Sequence, residues 1–224
     1  MTNEQFPARA TLTLDPGEEA QSLTLVRASP TSEALFLVGT TRAPSTPDSE
    51  PTEGRLLVLR ASLDGDTGAA ALERASETRV GGCPYAAVQL ALSGAGSEVG
   101  YVATAVNSQV AVWALGADGS LALSATWGGA FVAYTLAARE PQGAGAGAGE
   151  GLGDGTLLVG DALRSVTLLR YHPPASAPMQ GRLEEVARDY RSRYMLGVAP
   201  LAGGSEVLGA ETDLNLFTLE RDEG

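Results

Sequence analysis

Few side chains of this sequence could support catalysis or metal binding. The chain has one histidine, His172, and one cysteine, Cys83. A Ser-His-Asp triad or a histidine metal site would have to use His172, and a thiolate metal site needs more than one cysteine. His172 precedes Pro173-Pro174, which indicates a loop at a strand end. Cys83 could act as a nucleophile only with His172 as its base, or it is a small apolar residue at a strand start.

Three carboxylates, Asp161, Glu211 and Asp213, follow apolar segments of the same type and could line one face. Paired carboxylates can hydrolyse glycosides, so a hydrolase is one hypothesis. Asp side chains also bind nearby backbone amides and hold turns, which is the interpretation we favour. The sequence therefore predicts a protein that is not an enzyme and has no metal or cofactor.

Basic residues are concentrated in the C-terminal third of a chain whose formal net charge is −12. Six of the arginines there are Arg164, Arg170, Arg182, Arg188, Arg191 and Arg193. Glu184, Glu185 and Asp189 lie among them, which is typical of a solvated face. Because non-specific nucleic-acid affinity comes from released counterions, we expect at most an indirect contact with nucleic acid.

The elements that position these residues are short strands. Residues 156–171, TLLVGDALRSVTLLRY, contain two aliphatic runs joined by Gly, Asp and Ser, which is a strand–turn–strand signal. Similar segments recur in groups of four with a period of roughly 45–65 residues, as in the blades of a β-propeller. We predict an all-β, partial WD40-like β-propeller with about three complete four-stranded blades and strands of a fourth. The predicted blades cover residues 20–80, 85–128, 131–190 and, incompletely, 194–222.

Within each group the first strands are small and apolar, and the fourth is polar, as an edge strand should be. Residues 183–190 could also form a helical turn, but their place in the repeat favours a strand. Two insertions, residues 42–53 and 139–155, are rich in Pro or Gly and are predicted to be disordered loops. The glycines of the second insertion only weakly resemble G-x-G-x-x-G, and a strand and not a helix follows them.

The strand count leaves the predicted ring open. Residues 10–15, ATLTLD, precede the first group as a lone predicted strand, and the last group has three strands. The lone strand could complete the last group and close a four-bladed ring. The alternative, which we favour, is a slice of a larger propeller with exposed sheet edges and apolar faces that invite pairing with another chain.

Three stretches carry a specific resemblance: VGDALRSVTLLRY (159–171), LEEVARDY (183–190) and VLGAETDLNLFTLE (207–220). Together with upstream segments in the same order, they resemble the family defined by the C-terminal region of the A subunit of the cleavage/polyadenylation specificity factor. That family includes the damage-binding adaptor of cullin-4 ubiquitin ligases and large subunits of splicing and polyadenylation complexes. The residues of the second and third stretches are more similar to the adaptor than to the other members. The resemblance therefore implies that the chain corresponds to part of the adaptor's third propeller.

The resemblance implies a non-catalytic scaffold that docks WD-repeat substrate receptors in DNA repair and protein ubiquitination. A subunit of an mRNA splicing or cleavage/polyadenylation complex is the alternative. The resemblance also implies a nuclear protein, with the cytoplasm as a second compartment. The partner-facing residues carried over by position are Cys83, Val132, Tyr134, Thr135, Arg164 and Tyr194. Only Arg164 matches the family residue. The other five departures keep the surface mainly apolar, and the family's fine partner specificity does not carry over with them.

Overall fold

The computed structural model describes residues 9–44, 46, 49–65, 69–90, 92, 100–138, 154–175, 180–201 and 206–221. Across these ranges the chain forms fifteen strands in four antiparallel sheets and no helix. None of its described segments is therefore a helix able to cross a membrane. The prediction of an all-β fold is confirmed.

Each sheet is built from strands that follow one another in the chain and pair in that order. The first sheet comprises β1 (Glu18–Val26), β2 (Leu35–Arg42), β3 (Gly54–Leu63) and β4 (Ala70–Val80). The second comprises β5 (Pro84–Leu90), β6 (Gly100–Val106), β7 (Gln109–Leu115) and β8 (Leu121–Trp127). The third comprises β9 (Ala133–Ala138), β10 (Thr156–Asp161), β11 (Ser165–His172) and β12 (Arg182–Arg188). The fourth comprises β13 (Met195–Pro200), β14 (Glu206–Glu211) and β15 (Leu216–Glu220).

The sheets are arranged as consecutive blades of a propeller. The first strands lie next to one another in order, with β1 against β5, β5 against β9 and β9 against β13. The described strands leave the ring open, because the fourth sheet has no extensive contact with the first. These features confirm the prediction of a partial β-propeller with three four-stranded blades and a three-stranded fourth. Residues 10–15 form no strand, although their sequence alternates.

The third sheet shows why the middle strands are apolar along their whole length. In β10, Leu157 faces the second sheet and Leu158 faces the fourth. Their cross-strand partners in β11, Leu169 and Leu168, continue the same two faces. Because both faces are covered by a neighbouring sheet, alternation between polar and apolar residues is replaced by an unbroken aliphatic run.

One apolar core lies between each pair of adjacent sheets. Between the first and second sheets, Val58 and Leu37 pack in one cluster with Trp113, whose indole N–H donates to Thr104 Oγ1 at 2.9 Å. Between the second and third sheets, the Tyr171 hydroxyl lies 2.7 Å from Ser124 Oγ, so two buried hydroxyls satisfy each other. The third core, between the third and fourth sheets, is smaller.

In the second and third sheets the fourth strand is more exposed than the first, as its polar sequence indicates, whereas in the first sheet β1 is as exposed as β4. Residues 182–188 form a strand and not the helical turn that was the alternative. Of the predicted loop 139–155, only Asp154 and Gly155 are among the described residues. Ser45, Pro47 and Asp48 of the predicted loop 42–53 also lie outside them.

The first strand begins at Glu18, two residues before the apolar segment that starts at Ala20, and Glu18 pairs with Arg55, which is half-buried. Arg55 Nε donates to Glu18 Oε1 at 2.7 Å, and its guanidinium also lies 3.2 Å from Asp15 and from Glu77. The Glu18 side chain is 3% exposed. Burial alone would raise its pKa, but hydrogen bonds from Arg55, Thr40 and the Asp15 amide lower the pKa to about 2.

This ion pair predicts an acid-sensitive contribution to stability. A carboxyl whose folded pKa is about 2, against an ordinary value of 4.5, stabilises the fold above pH 4.5 and loses that effect as the pH falls towards 2. We expect Glu18→Gln to lower the free energy of unfolding at pH 7 by roughly 2–3 kcal/mol and to flatten its pH dependence in that window. Urea unfolding at several pH values measures both.

The matched control is Glu33→Gln, which removes an exposed ion pair with Arg60, with side-chain exposures of 53% and 36%. A surface pair contributes about 0–1 kcal/mol, so this variant should be close to wild type. Equal effects of the two substitutions would contradict the role assigned to Glu18.

The core between the second and third sheets predicts a larger effect. Leu169 is fully buried there, so Leu169→Ala should cost roughly 2–5 kcal/mol through lost transfer energy and the cavity left behind. Leu123→Ala, at a leucine that is 49% exposed, should cost under about 1 kcal/mol. Denaturant midpoints compare the two, and similar midpoints would show that the second and third sheets are not packed together.

Candidate functional site

One edge of the sheets gathers the residues that the sequence singled out. The antiparallel registers bring together the start of each first strand, the end of the second and the start of the third. We call this edge the turn face. Its connections between sheets are residues 81–83, 128–132 and 189–194, and its turns between second and third strands include residues 107–108, 162–164 and 212–215.

A β-bulge recurs at the same place in all four first strands. The ladder skips one residue between Ala20 and Ser22 in β1, and it does so again in β5, β9 and β13. The skipped residues are Gln21, Tyr85, Tyr134 and Leu196. A bulge leaves its extra residue outside the ladder and re-aims that side chain. Four equivalent side chains are therefore released from pairing at the inner rim of the turn face.

Three of these four side chains are large and apolar. Tyr134 is 44% exposed and Leu196 is 54% exposed. The Tyr85 and Tyr134 rings, from neighbouring sheets, lie 5.7 Å apart between centroids at 43°. Phe131 and Tyr194, in the connections beside them, are half exposed. We call Tyr85, Phe131, Tyr134, Tyr194 and Leu196 the aromatic row.

The row stands on a rigid base. The buried carboxylate of Asp161 accepts the backbone N–H of Phe131 at 2.6 Å, of Leu163 at 2.8 Å and of Arg164 at 3.1 Å. The Ala162 N–H donates in turn to the Val132 carbonyl at 2.9 Å. Asp161 therefore ties a connection between sheets to a turn within a sheet, which is the turn-holding role favoured by its sequence context.

The second and fourth sheets repeat this tie with different atoms. In the second sheet, Asn107 Oδ1 accepts the Cys83 N–H at 2.7 Å, and its Nδ2 donates to the Pro51 carbonyl at 2.8 Å. In the fourth, the Thr212 N–H donates to the Tyr194 carbonyl at 3.0 Å. The segments that lead into β5, β9 and β13 are therefore each hydrogen-bonded to a neighbouring turn, and these segments carry or adjoin the side chains of the row.

Arginines border the row on the third sheet. Arg164 is exposed, and its guanidinium donates to the Gly129 carbonyl at 3.2 Å. Arg188 donates to the same carbonyl at 3.4 Å and lies 5.7 Å from the Trp127 ring. An apolar centre with a cationic border on one side suits a partner that presents apolar anchors beside acidic residues.

The six residues predicted to face a partner all lie on or near the turn face, but in different environments. Tyr134, Tyr194 and Arg164 are exposed there, and Val132 and Thr135 are half-buried. Cys83 is buried beneath the surface, and burial raises the pKa of its thiol to about 11 despite hydrogen bonds with Tyr85 and Thr41. A partner could meet the segment around Cys83 but not its thiol group.

Tyr85, Phe131 and Leu196 are not among the residues that the sequence predicted to face a partner. The signal lies in the repeat, because Tyr85, Tyr134 and Leu196 align only when the strands are matched at the bulge. Aligning the strands at their first apolar residue matches Tyr85 with Phe131 and Tyr194 instead. The amino-acid sequence does not show where the hydrogen-bonded ladder of a sheet skips a residue. The alignment of Tyr85, Tyr134 and Leu196 therefore requires the backbone pairing seen in the structure.

The other candidates for chemistry are dispersed. His172 Nε2 lies 2.8 Å from Glu184 on the outer strands, where both side chains are over 40% exposed. Glu211 accepts a hydrogen bond from Asn215 Nδ2 at 2.9 Å within its own turn. Among the described residues, no group of three or more His, Cys, Asp or Glu has a geometry that could hold a metal.

Comparisons with known proteins agree with this architecture. The chain is 29% identical over 193 residues to the DNA damage-binding protein 1 of Caenorhabditis elegans, covering 86% of this chain and 14% of that protein. It is 39% identical over 66 residues to the DNA damage-binding protein 1 of Drosophila melanogaster, covering 30% of this chain and 5% of that protein. The chain thus spans a small part of the length of these relatives. Residues 2–224 match the family described as the CPSF A subunit region, and the chain belongs to that family.

Proposed function

We propose that this chain is a non-catalytic docking module whose turn face binds an apolar segment of another protein. The observation that carries the proposal is the aromatic row, where repeated bulges release large side chains at the same edge of adjacent sheets. Exposed aromatic residues on a rigid base lose little conformational entropy on binding and commonly dominate interface energies.

An amphipathic helix is the partner element that fits best. A helix offers apolar side chains at i, i+3, i+4 and i+7, which can contact several members of a row that runs from sheet to sheet. Its polar face would meet the border around Arg164. The partner-facing set Cys83, Val132, Tyr134, Thr135, Arg164 and Tyr194 belongs to this proposed site, to which the geometry adds Tyr85, Phe131 and Leu196.

The resemblance to the cullin-4 adaptor suggests which proteins the turn face docks and in which process. We infer a scaffold that receives WD-repeat substrate receptors in the nucleus, and also in the cytoplasm, for DNA repair and protein ubiquitination. Support comes from the two relatives, both of which are DNA damage-binding proteins by name. A second candidate, a subunit of an mRNA splicing or cleavage/polyadenylation complex, is favoured by the family description.

Affinity capture distinguishes these two scaffolds. We expect the tagged full chain to bind WD-repeat receptors from a nuclear extract, identified by mass spectrometry. The double variant Tyr134→Asp/Tyr194→Asp should weaken this binding by roughly tenfold or more, because each change places a charge among the apolar anchors. The control is Leu63→Asp, at a leucine that is 63% exposed at the opposite edge of the first sheet.

Binding that survives the double variant as well as the control would contradict docking on the turn face. Recovery of splicing or polyadenylation factors, lost in the same variant, would keep the docking face but replace the ligase scaffold by the second candidate.

Direct nucleic-acid binding gives a separate prediction. With a net charge of −12, the isolated chain should not retard a duplex DNA at physiological salt, even if that DNA is damaged. An electrophoretic mobility assay with and without a recovered receptor tests this. Retardation by the chain alone would show that the DNA contact is direct.

A further inference from the structure

A groove separates the outer strands of the first and second sheets near the turn face. Of the described outer strands, β8 packs against β12, whereas β4 makes no extensive contact with β8. Where β8 and β12 end, the Arg188 guanidinium lies 5.7 Å from the Trp127 ring. The corresponding place between the first and second sheets is a cavity of about 480 Å³, which we call the β4–β8 groove. Towards the opposite edge, Ser76 Oγ donates to the Gly119 carbonyl at 2.6 Å and joins the same two sheets.

The floor of the groove is apolar. Trp113 and Leu123 are cross-strand partners in β7 and β8 and line the groove with Val80. The Trp113 indole N–H is already bonded to Thr104, so the ring has no free donor. Leu123 shares the face of Trp113, which packs towards the first sheet, yet it is 49% exposed. This leucine therefore leaves apolar surface that a ligand side chain can cover.

Exposed polar side chains line the rest of the groove. Within the described part of the chain, the side chains of Arg79, Ser108, Gln109 and Thr126 make no hydrogen bond or ion pair. Glu50 is a further exposed member of the lining. Arg79 can only donate, Glu50 can only accept, and the Gln109 amide can do both. The groove thus offers donors and acceptors beside an apolar floor.

This combination suits an extended peptide. An extended chain carries a free N–H and C=O at almost every residue, and alternate side chains point to the same side. A helix pairs those backbone groups internally and would leave the polar lining without partners. A volume of about 480 Å³ is within the range of about 300–1,000 Å³ for ligand sites, and it can take a large side chain with the backbone on either side.

We propose that the β4–β8 groove binds an extended segment of a partner protein, with a large apolar side chain packed on Trp113 and Leu123 and the backbone hydrogen-bonded to Gln109. The groove opens beside connection 81–83 and turn 107–108, which belong to the turn face. A segment bound in it can therefore continue from an element docked on the turn face. Binding in the groove does not require that docking, and the two sites are tested separately.

Selection of linear heptapeptides displayed on phage tests the groove with the full chain. We expect the enriched peptides to share a large apolar residue. Leu123→Glu should weaken their binding by roughly tenfold or more, because it places a charge on the apolar floor. Gln109→Leu should weaken it by roughly threefold to tenfold through the lost hydrogen bond. Fluorescence anisotropy with the synthetic peptides measures both, and the control Leu63→Glu, at the opposite edge of the first sheet, should bind like wild type.

Fluorine NMR locates the bound peptide. The chain has two tryptophans, so labelling with fluorotryptophan gives two resonances, which Trp127→Phe assigns. A selected peptide should shift the Trp113 resonance and leave that of Trp127 unchanged. The denaturant midpoint of Leu123→Glu should stay close to wild type, because Leu123 is half exposed. Weaker binding by this variant then reports the groove and not unfolding.

A failure of the wild type to enrich peptides beyond those enriched by Leu123→Glu would overturn the proposal. An unchanged Trp113 resonance at saturating peptide would do the same. Peptides that bind Leu123→Glu normally but are lost in Tyr134→Asp/Tyr194→Asp would support docking on the turn face and contradict the groove as a peptide site. Peptides lost only in Leu123→Glu and Gln109→Leu would support the groove, whatever the outcome for the turn face.

Discussion

The constraint on which this structure depends is that a sheet with two apolar faces needs a neighbour on each side. The strands of the third sheet are aliphatic in both directions, and they are stable because the second and fourth sheets exclude water from them. A single sheet of this kind on its own would expose two apolar faces to water, which is unfavourable. The array therefore gains stability sheet by sheet, and its two outermost faces are where that gain is incomplete.

Much of the fold could be predicted from the sequence because burial leaves a strong pattern. Unbroken aliphatic runs such as Leu157–Val159 indicate strands covered on both sides, and polar fourth strands such as Arg182–Arg188 indicate exposed edges. Residues 10–15 show the limit of that reasoning. Their alternation is typical of a strand, but a strand also requires an edge to pair with, and residues 10–15 pair with none of the described strands.

The site could be predicted less well, because it depends on backbone irregularity and not on residue type. A bulge is set by which amide pairs with which carbonyl, so nothing in the residues around Tyr85 or Leu196 reveals it. The ionic cluster around Glu18 could not be predicted from the neighbouring residues either, since Arg55 lies on another strand and Asp15 precedes β1. The turn-holding role of Asp161 could be predicted, because an Asp in a turn accepts hydrogen bonds from amides near it in the chain. Its hydrogen bond from Phe131, thirty residues away, could not.

The repeated bulge separates the cross-strand pairing that closes each sheet from the side chains that the proposed docking assigns to a partner. A side chain outside the ladder can change without altering the cross-strand partners that close each sheet, and the amide ties of Asp161 and Asn107 are made by other residues. If the turn face docks a partner as proposed, substitutions at Gln21, Tyr85, Tyr134 and Leu196 would alter binding preference without changing the strand pairing. Such a rim would let one scaffold acquire new partners over evolutionary time while its architecture stays constant.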